Sequence, residues 1–198
     1  MIGDTIAAVS TPYGKGGVAL LRVSGPEAVA LCETVFLPAG DERLAALEAR
    51  RATYGRILAP DERGEWHSVD DGIVTVFRAP ASFTGEDVAE ITCHGGITVT
   101  SATLRALFEA GSEPASAGEF TRRAYMNGKL ELERAEALGN LLDAGNDGQV
   151  KLARAGMNGL LTDSAEGVYT DLMNVLCNME AGMDFPEEDL TEMPFEEV

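Results

Sequence analysis

Cysteine, histidine and basic side chains are scarce in this sequence. Its three cysteines, Cys32, Cys93 and Cys177, stand far apart, and no C-x-x-C pair exists. With only two histidines beside them, this spacing argues against a disulfide scaffold and against a zinc site. No apolar run reaches the roughly 18 residues that a membrane span needs. The N-terminus, M-I-G-D-T-I-A-A-V-S, lacks the basic start and long apolar region of a secretory signal. A reduced, cytoplasmic protein is the expectation. Lysine and arginine number 15 against 33 acidic residues, a formal net charge of −18. That balance argues against non-specific nucleic-acid binding by these residues alone. A P-loop is missing as well. Lys15 is followed by Gly16 and Lys129 by Leu130, so neither Gly-Lys pair carries the serine or threonine that would bind magnesium beside a phosphate. The stretch Gly14-Lys15-Gly16-Gly17 reads as a tight turn instead.

What is present is enough for a core: 45% of the residues are hydrophobic, in 198, which suits one large or two small domains. Thr5–Ser10 and Val18–Ser24 read as strands joined by a glycine-rich turn. Ser24-Gly25-Pro26 predicts the opening of a helix, with Ser24 or Gly25 as its cap and Pro38-Ala39-Gly40 as its end. Leu44–Arg51 is ambiguous, with room for a helical turn. Ala52–Leu58 and Gly72–Phe77 read as strands flanking the polar loop P-D-E-R-G-E. Val88–Cys93 is a further strand, and Ile97–Ala110 an amphipathic helix with Val99, Leu104, Leu107 and Phe108 inward. By layer logic the first ~115 residues form an α+β domain.

From Leu130 the period turns helical. Ala135, Leu138, Leu141 and Leu142 mark one helix, and Asn146-Asp147-Gly148 interrupts it. Met157, Leu161, Ala165, Val168, Leu172, Val175, Met179 and Met183 then step by three and four, which predicts a helix from Gln149 to Met183, roughly 50 Å long. Its glycines would be tolerated only against packed neighbours, so the helical half is expected to be incomplete in this chain. From Glu180 onward there are eight acidic residues and no basic one, the pattern of a solvated tail.

The joint between the two halves is Ala117–Asp143. It sets Arg122, Arg123, Asn127 and Lys129 beside glycines, where side chains could meet over a ligand. Three charges stand out by their setting. Arg22 interrupts an apolar strand, so it either faces solvent or seeks an anion or carboxylate. Glu90 shares a strand face with Val88 and Thr92. It either pairs with Arg22 or Lys129, or accepts two N–H groups side by side from a ligand such as an amino-pyrimidine ring. Lys129 is either a solvated lysine or a cation near a ligand. His94, in Cys93-His94-Gly95-Gly96, suits a structural or stacking role better than that of a general base, because no nucleophile with an orienting acid accompanies it.

Four segments, D-T-I-A-A-V-S-T-P-Y-G-K-G-G-V-A-L-L-R-V-S-G-P, S-F-T-G-E-D-V-A-E-I-T-C-H-G-G, A-G-E-F-T-R-R-A-Y-M-N-G-K-L-E-L-E-R-A-E-A-L and D-F-P-E-E-D, together resemble the family of tRNA-modification GTPases often called MnmE or TrmE. The likeness runs from Asp4 to Asp189, with Ala117 where the family usually has proline and Glu131 where it usually has aspartate. The resemblance implies an α+β folate-binding and dimerisation domain over residues 1–117, with a mixed sheet like that of the glycine-cleavage aminomethyltransferase. It implies a partial all-α helical domain over 118–190 and an acidic tail, 191–198, leading to a GTPase domain. The P-loop, switch regions, returning helices and C-terminal Cys-x-Gly-Lys motif of the family are not in this chain. GTP, magnesium and potassium are therefore expected only outside it, and no GTP hydrolysis by it. The implied ligand is a tetrahydrofolate derivative resembling 5-formyltetrahydrofolate, and the family's contacts to it fall on Arg22, Glu90 and Lys129. The resemblance also implies a homodimer, a flavin-dependent partner protein, tRNA in the full complex, and a role in adding a carboxymethylaminomethyl-type group to carbon 5 of the wobble uridine. Two other readings stay open: a structural dimerisation module that binds no folate, and a stand-alone folate-dependent aminomethyl transferase. No catalytic residue and no metal ligand is expected within these residues.

Overall fold

The computed structural model describes residues 4–40 and 42–184. The expected acidic tail at 191–198 lies outside the described residues. Two compact units are present, Met1–Leu130 and Glu131–Val198. Together they hold a mixed α/β fold with a seven-stranded mixed sheet and six helices among the described residues.

In the first unit the strands are β1 (Ile6–Val9), β2 (Val18–Ser24), β3 (Phe36–Pro38), β4 (Ala52–Pro60), β5 (Trp66–Phe77), β6 (Val88–His94) and β7 (Glu113–Pro114). Their order across the sheet is β3-β4-β5-β6-β2-β1-β7. Every pairing is antiparallel except β1 with β7. Helices α1 (Ala28–Val35) and α2 (Ile97–Glu109) cover one face. There Leu21, Val23, Ile57, Val74, Val76, Ala89 and Ile91 pack on Val29, Cys32, Val35, Ala106 and Leu107. Alternation then turns Arg22, Glu90, Thr92 and Thr75 to the other face. That second face carries exposed apolar groups, Val18, Tyr54 and Ile73.

Two glycines allow the core to close between β4 and β5. Gly55 and Gly72 are direct cross-strand partners. A Cβ at Gly72 would land on the carbonyl oxygen of Thr92 and lie 2.8 Å from Ile57 Cδ1, and one at Gly55 would meet the Phe36 ring. The side-chain space of both positions is filled by Ile57 and Phe36, both fully buried.

Several expectations needed correction. Helix α1 starts at Ala28 with Glu27 as its N-cap, because Ser24 stays in β2 and spends its hydroxyl on Thr84 and Glu86. It ends at Val35, since Phe36–Pro38 turns extended and pairs with β4. The ambiguous segment holds a single 3₁₀ turn, Leu44–Ala46, with Leu44 buried. Helix α2 packs the expected Val99, Leu104, Leu107 and Phe108 on the core and buries Thr100, Thr103 and Ala106 beside Leu107. Thr103 is accommodated there because its hydroxyl donates to the Val99 carbonyl.

Helix α3 (Glu119–Met126) completes the first unit. The second holds α4 (Leu132–Leu142), α5 (Asp147–Met157) and α6 (Leu160–Asp184). The single helix expected from Gln149 is two helices. The Asn158 amide folds back on the Arg154 and Ala155 carbonyls, and Gly159 takes φ +83°, a left-handed stop to α5. Asn146 caps the start of α5 by accepting from the Gln149 amide. Helices α4 and α5 meet through small residues, since a Cβ at Gly156 would lie 3.1 Å from that of Ala137. Leu142, one of the four apolar residues that mark α4 in the sequence, is exposed. Helix α6 also exposes Val168, Tyr169, Leu172, Met173, Leu176 and Met179. No described helix is long and apolar enough to cross a membrane.

Candidate functional site

Register brings the first two candidate residues together. In the pairing of β2 with β6, Arg22 lies directly opposite Glu90. The Arg22 Nε and Nη2 donate to Glu90 Oε1 at 2.9 and 2.7 Å. Both side chains are about three-quarters buried. Of the alternatives open to Glu90 and Arg22, mutual pairing is the one realised here. Both donors converge on one carboxylate oxygen, so Oε2 takes no part in this pair.

Aromatic rings flank the guanidinium. The Arg22 Cζ lies 5.4 Å from the centroid of Phe83 and 5.6 Å from that of Phe120, within cation–π range. Phe83 comes from the loop between β5 and β6, and Phe120 from the first turn of α3. Phe83 remains 40% exposed.

Lys129 is held by the same loop. The Gly85 backbone has φ +80°, and a Cβ there would lie 3.0 Å from Lys129 Cγ and 3.2 Å from Asn127 Cβ. The lysine stem thus lies along a glycine two residues from Phe83, while its amide donates to the Ala124 carbonyl. No ion pair joins Lys129 to Glu90 among the described residues. The loop is consequently shared: Phe83 touches Arg22 and Gly85 touches Lys129.

A buried network fixes that loop. Thr84 and Ser24 share a 2.7 Å hydroxyl bond, and the Ser24 hydroxyl also donates to Glu86. Arg123, only 4% exposed, donates to Glu86, to Glu119 and to the Asp4 carbonyl. The Asn127 amide donates to the Thr84 carbonyl. Arg78 and the Ala79 amide hold Asp87. The Glu119 carboxyl is held below the usual range, first by the Ser116 amide and then by Arg123, although burial opposes the shift. This corrects the expectation that Arg123 and Asn127 meet over a ligand, since both are spent on holding the loop. Arg122 is exposed and reaches Glu119 at 3.5 Å.

His94 is tied at the far end of β6. Its amide donates to Asp70 Oδ2 and its Nδ1 lies 2.7 Å from Oδ1. Burial would raise the Asp70 carboxyl, but the amide and ring of His94 outweigh it and lower it. Cys32 is pushed up to about 12 by burial, and burial raises Cys93 too. Neither is a thiolate nucleophile at neutral pH. Among the described residues no group of three or more His, Cys, Asp or Glu side chains could hold a metal ion.

Two concavities of the first unit lie elsewhere. One of about 360 Å³ is lined by Thr11, Tyr13, Lys15, Ile97 and Thr100 among others, and one of about 710 Å³ by residues from Ala30 to Leu44. Neither includes Arg22, Glu90 or Lys129. The sequence signals missed were the phenylalanines in two glycine-flanked polar motifs, S-F-T-G and A-G-E-F, and the i,i+4 spacing of Glu119 and Arg123.

The family model described as the GTP-binding protein TrmE N-terminus matches residues 5–129. A tRNA modification GTPase MnmE of Carboxydothermus hydrogenoformans is 39% identical over 193 residues, 98% of this chain and 41% of that protein. Those of Akkermansia muciniphila and Bacillus subtilis are 41% and 37% identical, over 94% and 96% of this chain and 40% and 41% of their own lengths. The chain thus spans about two fifths of the curated relatives it matches. With the family model covering well over half of its residues, the chain belongs to the MnmE/TrmE family of tRNA modification GTPases, of which it carries the N-terminal part.

Proposed function

We propose that this chain is the tetrahydrofolate-binding and dimerisation portion of a tRNA-modification GTPase. Residues 1–117 would form the folate-binding, aminomethyltransferase-like domain and 118–190 the first part of the helical domain. The observation that carries the reading is the Arg22–Glu90 pair, set on the sheet face opposite the helices. A paired carboxylate with one oxygen outside the pair can meet the N–H edge of an amino-pyrimidine ring. Arg22 would address the nearby polar parts of the ligand, and Lys129, on a flexible stem beside Gly85, would close over it. A 5-formyltetrahydrofolate-like cofactor would supply the one-carbon unit. Binding and orienting it is the part assigned to these side chains.

The wider role follows from the family. In the full complex the protein would act in the cytoplasm with a flavin-dependent partner on the wobble uridine of tRNA, with GTP, magnesium and potassium bound outside this chain. The exposed Val18, Tyr54 and Ile73 on the same sheet face support a homodimer formed through the first unit. A structural dimerisation module without folate is the second reading, favoured by two hollows of the first unit that lie away from the three charges.

Titration calorimetry with 5-formyltetrahydrofolate, at concentrations where the oligomeric state is known, separates the two. Saturable binding by the wild type and a loss of at least tenfold in affinity for Glu90→Ala are expected, since losing a charge-assisted hydrogen bond costs about 1.5–3 kcal/mol. A dimer that binds no folate establishes the second reading.

A further inference from the structure

Resting on the folate reading above, we propose that Phe83 and Phe120, the rings beside the Arg22 guanidinium, form the stacking wall for the flat pyrimidine ring of the pterin. A carboxylate recognises an amino-pyrimidine in the plane of the ring, through its N–H edge, and so leaves both faces of the ring uncovered. Ring faces are worth covering, because stacking on an aromatic side chain contributes about 1–3 kcal/mol per base in comparable recognition.

The flat groups set beside Glu90 through Arg22 are these two. The guanidinium is 2.7 Å from the carboxylate at its Nη2 and 5.4 and 5.6 Å from the two ring centroids at its Cζ. Phe83 has surface to offer, at 40% exposed. Its backbone is not free to drift, because Thr84 and Glu86 on its C-terminal side are bound by Ser24 and Arg123. Phe120 follows Glu119, which is locked by Arg123 and the Ser116 amide. One buried arginine therefore sets the positions of both rings. A conjugated ring is favoured at such a wall over a saturated ligand carrying the same N–H edge, which makes the phenylalanines determinants of specificity.

The test uses the whole chain and 5-formyltetrahydrofolate as the probe, with Phe83→Leu, Phe120→Leu and Phe83→Tyr compared by calorimetry and thermal melting. Leucine keeps the apolar volume and removes the ring. Each leucine variant should bind about tenfold more weakly than the wild type, while Phe83→Tyr, which keeps the ring, binds within about twofold. Melting temperatures of the Phe83 variants should match the wild type, because that side chain is part-exposed. Wild-type affinity in both leucine variants overturns the stacking wall and leaves the folate reading standing. Equal loss in Phe83→Leu and Phe83→Tyr also overturns it, since the loop and not the ring would then be responsible. No binding by the wild type removes the folate reading itself, and the wall with it.

Discussion

Arg123 shows what one side chain can decide. It is buried in contact with two carboxylates, and removing a partner from such a cluster leaves an uncompensated charge. Glu119 is the more informative member because its carboxyl is depressed. A carboxyl depressed on folding adds stability that is present above its unfolded value, about 4.3, and lost as pH falls through the folded value. Thermal melts between pH 7 and pH 3 should show the wild type losing stability on this acid limb. Glu119→Gln should start less stable at pH 7 and fall more gently. Parallel curves for the two proteins would show that Glu119 contributes nothing to the limb. Arg22 belongs to the same scale but differs in kind: its pair with Glu90 is part-exposed, so its contribution to stability is reduced by solvent.

At the scale of the elements, β4 and β5 meet at two paired glycines. Their paired glycines hold the sheet against Phe36 and Ile57. Gly72→Ala should cost about 2 kcal/mol or more in urea unfolding, because the added methyl meets the Thr92 carbonyl, which is backbone and cannot rotate aside. A midpoint equal to wild type would mean that the strands spread without cost. Helices follow the same logic with the opposite residues. Gly156 lets α5 approach Ala137 of α4, so small size there is a packing choice and not a weak point.

For the molecule as a whole, charge sets the partners it can take alone. With a formal charge of −18 and its candidate cations committed to carboxylates or held singly, the chain should not bind tRNA measurably by anisotropy at 0.15 M salt, where phosphate contacts dominate affinity. Micromolar binding with a steep salt slope would overturn this expectation. Helix α6 and the second sheet face expose apolar side chains instead.

Local chemistry was legible wherever a segment states its own period. The strands at Val18–Ser24 and Val88–Cys93, the hairpin loop at P-D-E-R-G-E and the helix from Ile97 follow from alternation, turn residues and helical spacing, which depend on neighbours in the chain. The oddity of Arg22, Glu90 and Lys129 was also legible, since a charge in an apolar strand or beside glycines stands out by itself. Tertiary structure decided the rest. Arg22 and Glu90 are 68 residues apart, and only the choice of β6 as neighbour to β2 sets them face to face. The burial of Arg123 and the ring faces of Phe83 and Phe120 likewise depend on what packs alongside. Periodicity tells a side chain which face to take, but the identity of the group across from it is fixed by strand order and by long-range burial, which no local pattern encodes.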